Sequence, residues 1–423
     1  QANAYGAATG GVVTATISDG NIATLDDLTT SSADQLTITV TSTTATASQL
    51  KTVGDATGLN VTATAVETIN NSSVAQVIAL LLDEGTPGDK INLDGDFTVT
   101  VNDTGTVDAG DLNTINTATT GFVDAATVAT INGTSSAILT LLSNEGTSND
   151  KVGLDDNFTM VVSSGTATVS DVNTMSDFTT SGAITATISD TNIATLDDLT
   201  TSSADQLTIT VASTTAGAAQ LTTVAGATGV NVTATAVETV TGTAAEVDAL
   251  LLVEGAGATD VNLDDDYAIT INSGTATVTQ ANAYGTATGG VVTATISNTA
   301  VAELDGLTTA NTDLLSITMA AEAVTAAQLI IINGATGSTI DAQAVTGITG
   351  TAAQFESVMD AEGASGDKIN LDGDFTVSVS NGTTTAAQLA KIDAKTSKNV
   401  DASAVTAISG TASQFTTIAA AQG

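Results

Sequence analysis

Ala15 to Val40 reads ATISDGNIATLDDLTTSSADQLTITV, and Ala186 to Val211 repeats it with one substitution in 26 residues. QANAYG at Gln1 recurs at Gln280, followed both times by GGVVTATIS. A chain copied this faithfully must fold into something that tolerates copying, which excludes most globular topologies. A finer period runs inside the duplications. Runs alternating apolar residues with Thr begin near Val12, Leu36, Val61, Phe97, Val123, Phe158, Ile184, Leu207, Val232, Tyr267, Val292, Leu315, Ile340, Phe375 and Val400. Most neighbours are about 24 residues apart, and every third or fourth gap is about 36 to 38. Phe97 to Phe158 is 61 residues, Phe158 to Tyr267 is 109 and Tyr267 to Phe375 is 108. Whole units have thus been added or removed without disturbing the rest. A quasi-one-dimensional stack, in which each unit touches only its neighbours, accepts that freely.

One unit can be read residue by residue. Leu36-Thr-Ile-Thr-Val40 alternates in and out as a strand does. Ser42, Thr43 and Thr44 are helix N-cap candidates, and Ala45 to Val53 then places Ala47, Leu50 and Val53 on one helical face. Gly54 and Gly58 break the helix before the next strand at Asn60. Strand, short helix and turn make successive strands parallel and the crossover right-handed. The expected fold is α/β: an elongated right-handed solenoid of strand–helix repeats over 1–423, forming one long parallel sheet backed by helices. The alternative is an all-β parallel β-helix.

Composition agrees with a thin core. The chain is 42% hydrophobic, but only 2% aromatic, so Ala, Val, Thr and Leu must fill its interior. Forty-six Asp and Glu face seven Lys, and there is no Arg, His, Cys or Trp; the net charge is −39. Catalytic triads, Cys nucleophiles and zinc sites with nitrogen or sulfur ligands are therefore excluded. Nucleic acid and anionic membrane surfaces would be repelled. No run of 18 apolar residues exists, so no membrane-spanning helix is expected.

The strand–helix period resembles that of the α/β solenoids, of which leucine-rich repeats are one example, although the LxxLxL spacing and the Asn ladder are missing. The Ala/Thr/Asp/Gly-rich, Cys-free, Lys-poor repeats are similar to those of giant cell-surface and secreted proteins of bacteria, marine cyanobacteria among them. That resemblance implies secretion or surface display, and often Ca²⁺ dependence.

The longer units, near 69–105, 129–165, 239–274 and 347–382, carry an acidic insertion. Its common form is Glu-Gly, a short loop, an acid, then Leu-Asp-x-Asp/Asn before an aromatic. The segments before it read as helix ends closed by Gly, which puts each Glu at the negative end of a helix dipole and asks for a compensating cation. Asp-x-Asp beside a Gly-rich loop and a Glu supplies hard oxygen ligands, the chemistry of Ca²⁺. The expected ligands are Glu84, Asp89, Asp94 and Asp96 in the first loop, and Glu145, Asp150, Asp155 and Asn157 in the second. In the third they are Glu254, Asp260, Asp264 and Asp266, and in the fourth Glu362, Asp367, Asp372 and Asp374. The alternative is a solvated loop whose Lys90, Lys151 or Lys368 pairs with an acid; in the third copy that position is Asp260.

Paired Thr residues, such as Thr14 and Thr16, Thr37 and Thr39, or Thr208 and Thr210, form ladders on an exposed sheet face in this fold. Such a face could also bind ice, a crystalline polysaccharide or another copy of the chain. The functional expectation is a non-enzymatic structural segment of an extracellular or cell-surface fibre, stalk or layer, self-associating into a filament or sheet. The alternative is an adhesin that binds carbohydrate or another cell through the Thr-rich face. An enzyme acting on acidic polysaccharide is disfavoured by charge. Gln1 starts in phase with Gln280, and Gln422-Gly423 stands where the other copies have Glu-Gly. The chain therefore reads as a window of a longer array, or as the protomer of a filament.

Overall fold

Alternation of apolar residues with Thr sets the strands. Leu36, Ile38 and Val40 are buried while Thr37 and Thr39 face outward, and Ile184 to Thr187 repeats the pattern. The computed structural model describes residues 1–84, 91–255, 257, 259–366 and 368–420. A strand begins within two residues of each expected start, from Thr14–Thr16 to Val400–Asp401.

Helices follow where Thr or Ser can cap. Thr46, Ser73, Thr243, Thr277, Thr325, Thr351 and Thr385 each accept the backbone N–H three residues on, and the Gln or Glu there reaches back to the cap's own N–H. Helix Ala47–Asp55 starts at the Thr46 cap, later than the expected Ser42, Thr43 or Thr44. The reason is that Thr44–Ala45 is itself a strand, paired with Thr68 and Ile69. Ala47, Leu50 and Val53 are buried as expected.

The chain divides into two compact units: Gln1–Thr191, Asp198–Ile209 and Gly226–Val230 form one, and Asn192–Asp197, Thr210–Ala225 and Asn231–Gly423 the other. In the first unit a five-stranded sheet runs in chain order through Thr106–Asp108, Thr130–Gly133, Thr159–Val162, Ile184–Thr187 and Gln206–Thr208. The largest sheet of the second runs likewise through Thr215–Gly217, Thr239–Thr243, Ala268–Ser273, Val292–Thr295 and Leu314–Ser316. Strand pairing in both is parallel, and spatial neighbours come from successive coils. The fold is a repeating β-α solenoid of small parallel sheets and interspersed helices. Helices of eight to ten residues in many of its coils rule out the all-β alternative.

The expected single sheet is divided into nine sheets of two to five strands among the described residues. A coil contributes strands at two positions, and the second was not expected. Strands such as Thr130–Gly133 (TING) and Thr68–Ser72 (TINNS) carry Asn and Gly, so their alternation is weak in the sequence.

Buried polar side chains tie coil to coil. Thr57, Thr228 and Thr336 are fully buried, and each donates its hydroxyl to the carbonyl of a strand residue 21 positions earlier, Leu36, Leu207 or Leu315. Asp34, Asp205 and Asp313, also buried, accept the N–H of Val13, Ile184 and Val292, again 21 positions earlier. Buried polar atoms satisfied in this way fix register as well as contributing stability.

Candidate functional site in the acidic loops

The four acidic loops share one closure. Glu84, Glu145, Glu254 and Glu362 form isolated parallel bridges with Ile91, Val152, Val261 and Ile369, each seven residues on. Gly146, Gly255 and Gly363 donate their N–H to Val152, Val261 and Ile369 at 3.0–3.1 Å. The preceding helices end at Leu81, Ser143, Leu251 and Ala361, so each Glu lies past its helix, in the bridge, and not in the last helical turn. All four Glu residues are half-buried.

The other end of each loop is pinned by an aromatic ring. Phe97, Phe158, Tyr267 and Phe375 are buried, while Asp94, Asp96, Asp155, Asn157, Asp264, Asp266, Asp372 and Asp374 between loop and ring are exposed. Asp94 and Asp264 accept the N–H of the next residue at 2.8 Å, and so serve their own turns. Asp150 of the second loop is exposed; Asp89 and Asp367 lie outside the described residues. Among the described residues no three carboxylates are gathered to hold an ion as they stand.

Loop lysines do not pair with loop acids where both are described. Lys151 donates to Ser143 O at 3.2 Å, and Lys368 donates to Asp360 O at 3.3 Å, eight residues back in each case. Each satisfies a carbonyl at the C-terminal end of the helix before its loop, where positive charge complements the dipole.

The loops differ in how their acid is met. In the fourth, Lys391 pairs with Asp360, Lys395 with Glu362, and Lys398 with Asp374 at 3.8 Å. These lysines come from the next coil, and the sequence reading missed them; counting one coil forward would have found them. At the first loop, Lys51 of helix Ala47–Asp55, one coil back, pairs with Asp83 at 2.7 Å. At the second, Ser181 donates to Asn157 at 2.6 Å, an amide standing where the other loops have a carboxylate.

Among the described residues the third loop has no such partner. No lysine lies anywhere between Lys151 and Lys368. Asp260 accepts the Gly257 N–H at 2.7 Å. Partial burial holds the Glu254 carboxyl above its ordinary value, and the charges of Asp265 and then Asp260 add to this. Asp265, a residue the Asp-x-Asp reading passed over in favour of Asp264 and Asp266, is exposed like both of them. Tyr267 is 1% exposed, and its hydroxyl has no hydrogen-bond partner among the described residues. Burial raises this phenol, and the neighbouring Glu254 charge raises it further.

Beyond the loops, a groove of about 780 Å³ lies beside helices Ser135–Ser143 and Val169–Ser176. Hydroxyls line it, and Ser135 donates to Asp171 there at 2.9 Å. No described helix is long and apolar enough to cross a membrane. No protein-family model, curated protein or solved structure matches this chain.

Proposed function

We propose that the chain is a structural repeat segment of an extracellular or cell-surface fibre, stalk or layer, rigidified by Ca²⁺ in its acidic loops. The observation that carries this reading is where the buried polar chemistry is spent. Thr57, Thr228, Thr336, Asp34, Asp205 and Asp313 all tie one coil to another, in coils duplicated almost unchanged. Such a chain sets length and spacing rather than turning over a substrate. Excess carboxylate charge resists close packing of copies, and a divalent cation relieves it. Negative-stain microscopy of native material should show filaments, rods in register or layers. Dispersed single particles at every concentration would count against assembly. Melting with and without EGTA tests the cation: an unchanged Tm would remove Ca²⁺ from the reading.

A second reading, adhesion to carbohydrate or to another cell, draws on the exposed Thr ladders. Thr16 registers with Thr37 and Thr187 with Thr208, all four outward-facing. A glycan array separates it from the first.

A further inference from the structure

We propose that the groove beside helices Ser135–Ser143 and Val169–Ser176 is a seat for an uncharged oligosaccharide, held by Ser136, Ser164, Thr166 and Asp171. This deepens the second reading above, moving carbohydrate from the Thr ladders to a groove, and rests on it.

The seam between these two helices lacks a tie that its sisters have. In the third and fourth long coils an acid on one helix meets an amide on the next, Asp248 with Gln280 and Glu356 with Gln388. In the third the Tyr284 hydroxyl also crosses to Asp248. Here the aligned residues are Leu139, Asp171 and Met175. Leucine accepts no hydrogen bond, so Asp171 is met elsewhere. It accepts the Ser135 hydroxyl at 2.9 Å and the Thr168 N–H at 3.1 Å, both on Oδ2. Its Oδ1 makes no hydrogen bond among the described residues, and Asp171 lines the groove.

The rest of the lining is an independent observation. Ser136, Ser164 and Thr166 are exposed, and among the described residues their hydroxyls make no hydrogen bond. Thr140 differs, because its hydroxyl is turned back on Ser136 O at 2.8 Å. Half-buried Leu139 adds apolar surface. Three open hydroxyls, one carboxylate oxygen and an aliphatic side chain suit a sugar, which has hydroxyls at its rim and C–H groups on its ring faces. The volume of about 780 Å³ lies in the usual range of ligand sites.

Charge selects the class of sugar. Lys151, bonded to Ser143 O at the groove, balances Asp171 there. The lining is thus close to neutral, while the net charge of −39 repels an acidic chain.

Calorimetry on the full chain tests this with hexaoses of glucose, mannose and N-acetylglucosamine, and with hexagalacturonate as the acidic probe. A neutral hexaose should bind at one per chain, and hexagalacturonate should not. Ser136→Ala, Ser164→Ala and Thr166→Val together should weaken binding at least about tenfold. The hydroxyls they remove make no internal bond, so the fold should hold. Leu139→Asp with Asp171→Gln recreates the tie of the sister seams. It should abolish binding while the Tm holds or rises. Binding that both variants leave unchanged removes the groove and leaves adhesion through the Thr ladders standing. No binding of any neutral hexaose removes the groove and the carbohydrate reading together. Hexagalacturonate bound as tightly as the neutral probes would overturn the ligand class.

Discussion

The Thr228 hydroxyl donates to Leu207 O at 2.9 Å and accepts the Leu207 N–H at 2.9 Å. One side chain thus does for a strand residue what a further strand would do. Thr57 with Leu36 and Thr336 with Leu315 repeat the arrangement.

Replacing Thr228 by Val should therefore cost more than its change in volume suggests. Val fills the same space but leaves two buried backbone groups of Leu207 unmet, at about 1–3 kcal/mol each. Thr228→Ser, which keeps the hydroxyl, should lose much less. Urea melts of the two variants, compared at equal m-value, check the difference.

Acid should loosen the coil that holds Asp34. Its carboxylate accepts the Ser31 and Val13 N–H groups, which lower it below the ordinary value of 3.8. A group whose folded value is depressed contributes stability above its unfolded value and loses it as pH falls through the folded one. The Tm should drop as pH is lowered from about 5 toward 3, and Asp34→Asn should flatten that part of the profile. A profile identical in the variant would show that Asp34 contributes nothing to it.

Asp248 accepts from Gln280 Nε2 at 2.7 Å and from the Tyr284 hydroxyl at 2.9 Å. Glu356 and Gln388 form the equivalent contact at 2.9 Å. In the first two long coils the aligned pairs are Ile78 with Asp111 and Leu139 with Asp171. In the third and fourth long coils an acid on one helix thus meets an amide on the next, and in the first two an acid at the second position aligns with an aliphatic at the first. Gln280→Asp should destabilise by setting two carboxylates against each other. Adding Asp248→Leu should recover part of the loss, a coupling of about 0.5–3 kcal/mol in a double-mutant cycle. Strict additivity would refute the pairing rule.

Lys368 places positive charge on the last carbonyls of helix Ala352–Ala361. Lys368→Met should cost about 0.3–1 kcal/mol at low ionic strength, and the difference should shrink as salt is added. A loss independent of salt would point to packing of the lysine methylenes instead, which run where a side chain on Gly363 would stand.

Much of this architecture could be read from residues alone. The starts of fifteen strands, the buried face of Ala47, Leu50 and Val53, and the outward Thr positions follow from period and polarity. Strands such as Thr130–Gly133 escaped because Asn and Gly blur alternation. Thr57 and Asp34 escaped because both are polar and read as surface residues until the coil 21 positions away is placed beside them. In the acidic loops, the four Glu and the buried aromatics were legible from repetition. The lysines that meet the fourth loop were not, because Lys391, Lys395 and Lys398 stand one coil further on.

By itself the sequence determined the repeat and its class, since hydrophobic period is a local property and duplication multiplies its signal. Only the tertiary structure decided how each loop's charge is met. Lys395 reaches Glu362 across 33 residues, and Lys51 reaches Asp83 across 32. Such pairings depend on which coil lies next to which, and a linear spacing does not contain that. The same neighbourhood leaves the buried Tyr267 hydroxyl without a partner among the described residues.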